Sequence, residues 1–236
     1  MGRGLGCGML CLINTMIRIR PHRLFDLVKT DRYTERVVQI VLPDRQTPVT
    51  FDTVIKLAIA KLIQPRSFFE FGTFLGVGTL NIALNLPDCH LYTLDLDEDS
   101  YKQASIVESV RHLSELQLER QRELAFMGTP FEKRVQALRG DSTRFDLRPY
   151  YGKMDMVYVD GGHDERTIKS DTENAFCMLT KDHPAAIAWD DYGNQLCPAV
   201  QECLDARSEK LFYIEESLTV FYLSGVSAGI LDRLSS

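Results

Sequence analysis

Five short apolar runs in this chain each end in residues that could do chemistry. The first run closes on Glu70-Phe-Gly72-Thr-Phe-Leu-Gly76-Val-Gly78 and the second on Asp95-Leu-Asp97. The third closes on Gly140-Asp141-Ser142, the fourth on Asp160-Gly-Gly-His163 and the fifth on Asp190-Asp191-Tyr192. Glycines after a first strand let backbone amides approach a ligand at the start of the next helix. An acid after a second strand can accept both hydroxyls of a ribose, a bidentate task for a carboxylate. An Asp-Ser pair can bond the edge of an adenine, and aspartates with a nearby histidine can hold a hard cation or move a proton. Each motif also has a plainer reading: a tight strand-to-helix turn for the glycines, solvated turns for Asp95 and Asp97, a helix cap for Asp141-Ser142. The glycine spacing is not the dinucleotide GxGxxG, which disfavours a nicotinamide-dependent oxidoreductase, and no lysine completes a P-loop.

The elements that must position these residues follow from periodicity. Phe51–Ile63 places Val54, Ile55, Ala58, Ile59 and Leu62 at helical spacing, with Thr50 or Asp52 as cap and Pro65 as stop. Ser67–Phe71 reads as a buried strand, Thr79–Leu86 as a helix and His90–Leu94 as a strand. A long amphipathic helix is expected from Ser100 to Ala125, with Ile106, Val110, Leu113 and Leu116 or Gln117 on one face, before Gly128-Thr-Pro130 breaks it. Strands follow at Val135–Leu138, Asp155–Val159 and Ala185–Trp189, alternating with helices at Arg166–Leu179 and Pro198–Arg207. Leu211–Ile214 and Leu218–Leu223 are separated by too few residues for a crossover and read as a hairpin. The expected fold is α/β: a doubly wound, seven-stranded, mostly parallel Rossmann-like sheet with one antiparallel strand near the edge.

At 236 residues the chain suits one sizeable domain, read as residues 46–236, with an N-terminal extension over 1–45 and a helical insert over about 98–134. Its net charge of −6 argues against a nucleic-acid partner, and no polybasic stripe suggests a membrane surface. Leu5–Ile19 is mildly apolar, but Asn14 and Arg18 interrupt it; it is too short to span a bilayer and weak as a secretory signal. The glycine-rich Gly2–Gly8 reads as a frayed tail. Cys7, Cys11, Cys89, Cys177, Cys197 and Cys203 form no framework, which suits reduced thiols in a cytoplasmic protein. His90, His112 and His183 lack a comparable setting and read as structural or surface residues.

At its strand ends the sequence resembles class I S-adenosylmethionine-dependent methyltransferases. Phe69-Glu-Phe-Gly-Thr-Phe-Leu-Gly76 looks like their first motif. Val157-Tyr-Val-Asp-Gly-Gly-His163, then Asp171, then Ala188-Trp-Asp-Asp-Tyr192, is similar to the branch of sugar and macrolide O-methyltransferases and cephalosporin hydroxylase-like proteins. The resemblance covers roughly Thr50 to Leu223. It implies S-adenosylmethionine as cofactor, with Glu70, Gly72, Thr73 and Gly76 at its methionine end, Asp95 on the ribose and Asp141 with Ser142 on the adenine. Gly78 stands where related enzymes often carry a serine that contacts the methionine part, so that contact is either missing or made by Thr79.

The usual class I strand order makes the fourth and fifth strands neighbours, so Asp160, Asp190 and Asp191 would converge. Three such carboxylates repel unless one is protonated or a cation lies between them, and oxygen ligands suit Mg²⁺. The rival reading leaves Asp160 on the cofactor's amine and Asp190-Asp191 in a turn. His163, three residues after Asp160, is the candidate base for a hydroxylated acceptor, against a solvent-facing loop histidine as the rival account. Trp189, Tyr192 and Tyr150-Tyr151 are candidates for acceptor walls or for packing. The expected activity is Mg²⁺-assisted O-methylation of a small molecule of sugar or natural-product type. A hydroxylase-like member of the same branch and a non-catalytic cofactor-binding protein are the alternatives, and residues 1–45 with the insert Glu98–Arg134 are expected either to cover the acceptor side or to form a homo-oligomer contact.

Overall fold

The computed structural model describes residues 16–28, 40, 50–103, 111, 115, 119 and 123–235. Its strands are β1 (Ile17–Ile19), β2 (Ser67–Phe71), β3 (His90–Asp95), β4 (Val135–Arg139), β5 (Met156–Val159), β6 (Ala185–Trp189), β7 (Phe212–Ile214) and β8 (Val220–Ser224). The helices are α1 (Pro21–Val28), α2 (Phe51–Ile63), α3 (Val77–Asn85), α4 (Glu98–Gln103), α5 (Glu165–Met178), α6 (Pro198–Asp205) and α7 (Ala228–Ser235). The eight strands lie in the order β1-β7-β8-β6-β5-β2-β3-β4. Neighbours pair in parallel, except that β8 runs antiparallel to both β6 and β7.

The eighth strand corrects the expected count of seven. Ile17-Arg18-Ile19 pairs in parallel with Phe212-Tyr213-Ile214 and covers what would be an open sheet edge. Three residues with a charge at the centre carry too little alternation to announce a strand, and only the waiting edge selects this one. The expected helix from Ser100 starts at Glu98, and the chain has left it by Glu123, so Leu124–Met127 forms turns instead. Ile106, Val110, Leu113, Leu116, Gln117 and His112 lie outside the described residues, as do Cys7, Cys11 and the Gly2–Gly8 tail.

Local chemistry explains the boundaries. The Thr50 side chain accepts from the Thr53 amide to open α2, and Gln64 closes it in the left-handed region ahead of Pro65. Asp164 caps α5 by accepting from the amides of Arg166 and Thr167. The period of two along each strand feeds two cores. Phe68, Met156, Tyr158, Ala186 and Phe221 face α2 and Ile82 of α3 on one side of the sheet. Phe69, Phe71, Val157, Ile187 and Trp189 face Ile168 and Ala175 of α5 and Val200 of α6 on the other. Burial on both faces is why these strands read as unbroken apolar runs. No described helix is long and apolar enough to cross a membrane.

The register sets the site. Phe71 pairs with Leu94 and with Val159, and Val159 pairs with Trp189. The next residue on each strand is therefore Gly72, Asp95, Asp160 or Asp190, in one row beyond the carboxyl ends. The chain leaves β2 toward β3 on one side while β5 lies on the other, which makes this the topological switch point where ligands of open α/β sheets bind.

Candidate functional site

The glycine loop is shaped by contact, not only by flexibility. Gly72 has φ +90°, and a Cβ there would lie 1.9 Å from the carbonyl oxygen of Asp160. No other residue type lets the end of β2 pass this close to the end of β5. Gly76, at φ +76°, precedes α3, and no side chain caps that helix. Phe74, also at positive φ, turns its amide onto Asp95 Oδ2 at 2.7 Å, while Leu96 donates to Oδ1 at 2.8 Å. Burial pushes the Asp95 carboxyl up, against the pull of these backbone bonds and of Arg139.

Other predicted residues hold different posts. Glu70 is buried; its Oε1 accepts from Lys56 Nζ at 3.2 Å, and its Oε2 from Thr79 Oγ1 at 2.5 Å and Thr93 Oγ1 at 3.2 Å. Thr73 turns inward to the Thr93 hydroxyl at 2.7 Å. Asp141 accepts from the amide and hydroxyl of Thr143 and so closes its own turn; no helix begins there to be capped, contrary to the plainer reading. With Gly140, Asp97, Ser100 and Arg144 it also lines an open cleft beyond β3 and β4. Trp189 is fully buried and donates to Thr172, and Tyr150 packs edge-on against Phe69, so both serve the core. His90 is exposed, and His183 lies beside Asp155, whose backbone precedes β5.

Asp171 is a carboxyl of α5 that is buried beneath Gly161 and has no partner for Oδ1 among the described residues. Burial pushes Asp171 up to about 7 from the ordinary 3.8. Between those values the unfolded chain gives up this proton while the folded chain keeps it. The contribution to stability is therefore full below the ordinary aspartate range and lost as pH rises through about 7. Asp171→Asn is expected to flatten this slope. Its stability relative to the parent should improve from pH 4 to pH 8 by up to about 4 kcal/mol, read by urea unfolding. Parallel pH profiles for the two proteins would refute the buried-acid account.

The acidic row sits on neighbouring strands. Burial and Asp190 push the Asp160 carboxyl well up, with Lys56 opposing. Asp190 is pushed up to about 6, chiefly by burial, although its Oδ2 accepts from Tyr158 at 2.8 Å and its Oδ1 from the Asp191 amide at 2.9 Å. Asp191 lies at φ 64°, a conformation that aspartate tolerates better than most residues and that swings its side chain toward the β5 loop. Burial works against its charge, yet His163, Asn194 and Cys197 together hold Asp191 below the usual carboxylate range. His163 Nε2 stands 2.7 Å from Asp191 Oδ2, an ion pair once the ring is protonated. That nitrogen is buried and lacks an in-line hydrogen-bond partner among the described residues.

The carboxylates of Asp160, Asp190 and Asp191 are hard donors of the kind a divalent cation takes, but among the described residues the three do not gather within 4.8 Å of one another, so the expected set is not assembled. Among the described residues, the side chains whose donor atoms lie within 4.8 Å of one another are His163, Asp191 and Cys197. Asp191 is the member this trio shares with the expected set of three aspartates. Burial and the nearby Asp191, Asp160 and Asp190 push the Cys197 thiol up to about 12.

Sequence reading missed Lys56 and Tyr158. Lys56 is a buried ammonium 3.6 Å from the centre of the Tyr158 ring. Its signal was a charge inside the apolar run Val54-Ile-Lys-Leu-Ala-Ile-Ala60.

A family model for a methyltransferase domain matches residues 69–192, just over half of the chain, including the carboxyl ends of β2 to β6. The chain belongs to this methyltransferase family. Its fold and strand-end motifs are those of the class I, S-adenosylmethionine-dependent methyltransferases that the sequence resembles. The methyltransferase is also similar to the O-methyltransferase TomG of Streptomyces achromogenes, which is involved in tomaymycin synthesis and was solved with S-adenosylmethionine. That likeness is 18% identity and a TM-score of 0.47 over 76% of this chain and 82% of that one. A methyltransferase of Podospora anserina, solved with S-adenosylhomocysteine, shows 14% identity and a TM-score of 0.49 over 77% and 80%. At these identities the likeness concerns the fold alone. Comparison with curated protein sequences gives no match.

Proposed function

We propose that this methyltransferase moves the methyl group of S-adenosylmethionine to a hydroxyl of a small acceptor of sugar or natural-product type, with Mg²⁺ in its acidic row. The observation that carries the reading is the His163–Asp191 pair at 2.7 Å, set beside Asp160 at the switch point. A hydroxyl is a poor nucleophile until its proton leaves, and with Nε2 of His163 turned to Asp191 the other ring nitrogen, Nδ1, is the one that can take that proton. Asp191 then stabilises the imidazolium, as an acid does behind any histidine base. The glycine loop and Asp95 hold the donor, so that the acceptor oxygen can approach the methyl carbon in line with the carbon–sulfur bond. The C–S bond breaks as the O–C bond forms, leaving S-adenosylhomocysteine, with the acceptor's proton on His163. A Mg²⁺ ion on Asp160, Asp190 and Asp191 would supply charge that makes the acceptor hydroxyl more acidic.

The test is detection of S-adenosylhomocysteine as product across a panel of hydroxylated acceptors; a hydroxylase of the same branch would release none. Activity is expected to vanish in excess chelator and return with Mg²⁺. Asp160→Ala and Asp190→Ala should abolish turnover while weakening S-adenosylhomocysteine binding less. Full turnover in excess chelator would remove the metal from this account.

A further inference from the structure

Among the described residues the three aspartates do not gather, but a mixed set beside them does. His163, Asp191 and Cys197 each offer one donor atom, and these atoms lie within 4.8 Å of one another. They come from two loops: His163 follows β5, while Asp191 and Cys197 bracket the turn between β6 and α6. That turn is fixed from within. The Cys197 amide donates to the Asn194 carbonyl at 2.9 Å, and Asn194 Nδ2 donates to Asp191 Oδ1 at 2.6 Å. Asn194 thus orients the carboxylate and leaves Oδ2 for the histidine. Oδ2 stands 2.7 Å from His163 Nε2, yet that buried nitrogen has no in-line hydrogen bond among the described residues. Two donor atoms in contact but not in line for a hydrogen bond are placed as two ligands of one ion are. A tetrahedral ion at ordinary bond lengths would part them by only about half an ångström. Cys197 is buried, which keeps its sulfur from solvent. One nitrogen, one carboxylate oxygen and one sulfur are not a magnesium set, because Mg²⁺ takes oxygen. They suit Zn²⁺, which takes all three atom types and keeps a fourth position for water where the protein supplies three ligands.

We propose that His163, Asp191 and Cys197 form a Zn²⁺ site, and that zinc bound there switches methyl transfer off. The thiol proton leaves to solvent as the ion takes the sulfur. The inhibitory half rests on the base reading above. An ion on Nε2 leaves the ring's one proton on Nδ1, which then has no lone pair for the acceptor's proton.

The test uses the full chain, stripped of metal and titrated with Co²⁺, whose absorbance reports its ligands. One equivalent is expected to bind with a sulfur-to-cobalt charge-transfer band, and Zn²⁺ should displace it and abolish the band. Cys197→Ser should lose the band and weaken Zn²⁺ binding, read by calorimetry, by at least the roughly 10- to 100-fold that outer-shell partners alone are worth. His163→Ala keeps the cysteine and should lose the band as well; it decides the matter if Cys197→Ser does not fold. In turnover with Mg²⁺ across the same acceptor panel, Zn²⁺ should inhibit the parent, while Cys197→Ser resists it relative to its own zinc-free rate. No cobalt binding, binding without the sulfur band, or a band that survives either substitution overturns the site. Zinc that binds as expected but leaves turnover unchanged overturns the inhibition. If the band forms and no S-adenosylhomocysteine is ever produced, the methyl-transfer reading fails and the zinc site stands.

Discussion

Replacing His163 with alanine is expected to lower turnover by roughly 100- to 10,000-fold, the usual worth of a positioned base, while S-adenosylhomocysteine binding stays close to that of the parent. The split follows from where the ring sits. His163 lies on the loop after β5 and faces Asp191 at 2.7 Å, while Gly72 and Gly76 on the loop after β2, Asp95 at the end of β3 and Asp141 with Ser142 after β4 are assigned to the cofactor. Nothing in that second set touches the imidazole, so its loss should appear in the chemical step and not in donor binding. Asp191→Asn should fall between the parent and His163→Ala, since it leaves the ring in place but without an anion behind it. A His163→Ala enzyme with unaltered turnover, or one whose loss is entirely in donor affinity, would remove His163 as the base.

Gly72→Ala is expected to be the most destabilising single methyl in the chain. The new Cβ would have to share space with the Asp160 carbonyl oxygen at 1.9 Å, at a φ of +90° that alanine rarely adopts. The backbone conformation costs about 1–3 kcal/mol and the overlap about as much again, because the obstacle is main chain at the end of a central strand and cannot rotate away. Against a typical total of about 5–15 kcal/mol, the loss should be plain as a fall in urea midpoint. The relief available is to push β5's end outward, which carries Asp160 with it. Any protein that still folds should therefore also bind S-adenosylhomocysteine poorly. A midpoint matching the parent would show that the two strand ends are not packed as described.

Much of this architecture was legible in the chain. Val157-Tyr-Val before Asp160 and Ala185–Trp189 before Asp190 are apolar runs too short for helices, and only a sheet covered on both faces buries them. The glycine loop was legible as well, because a glycine at the end of a strand is a local statement about backbone space. What stayed hidden was of two kinds. Ile17–Ile19 became a strand because β7 had an open edge, a fact about partners distant in sequence. Lys56 and Tyr158 became site residues through burial, a fact no local stretch of sequence states.

The sequence by itself determined the alternation of elements, the polar residue at each strand end and the family those residues announce, since each is written in a contiguous stretch of chain. The tertiary structure decided what those residues face. It turned Thr73 inward, engaged both oxygens of Glu70 and set Asp141 to closing its own turn. It brought His163 to Asp191 and a lysine from α2 to the space left by Gly78. Charge acts through distance and burial, and neither exists until the sheet has brought these ends together.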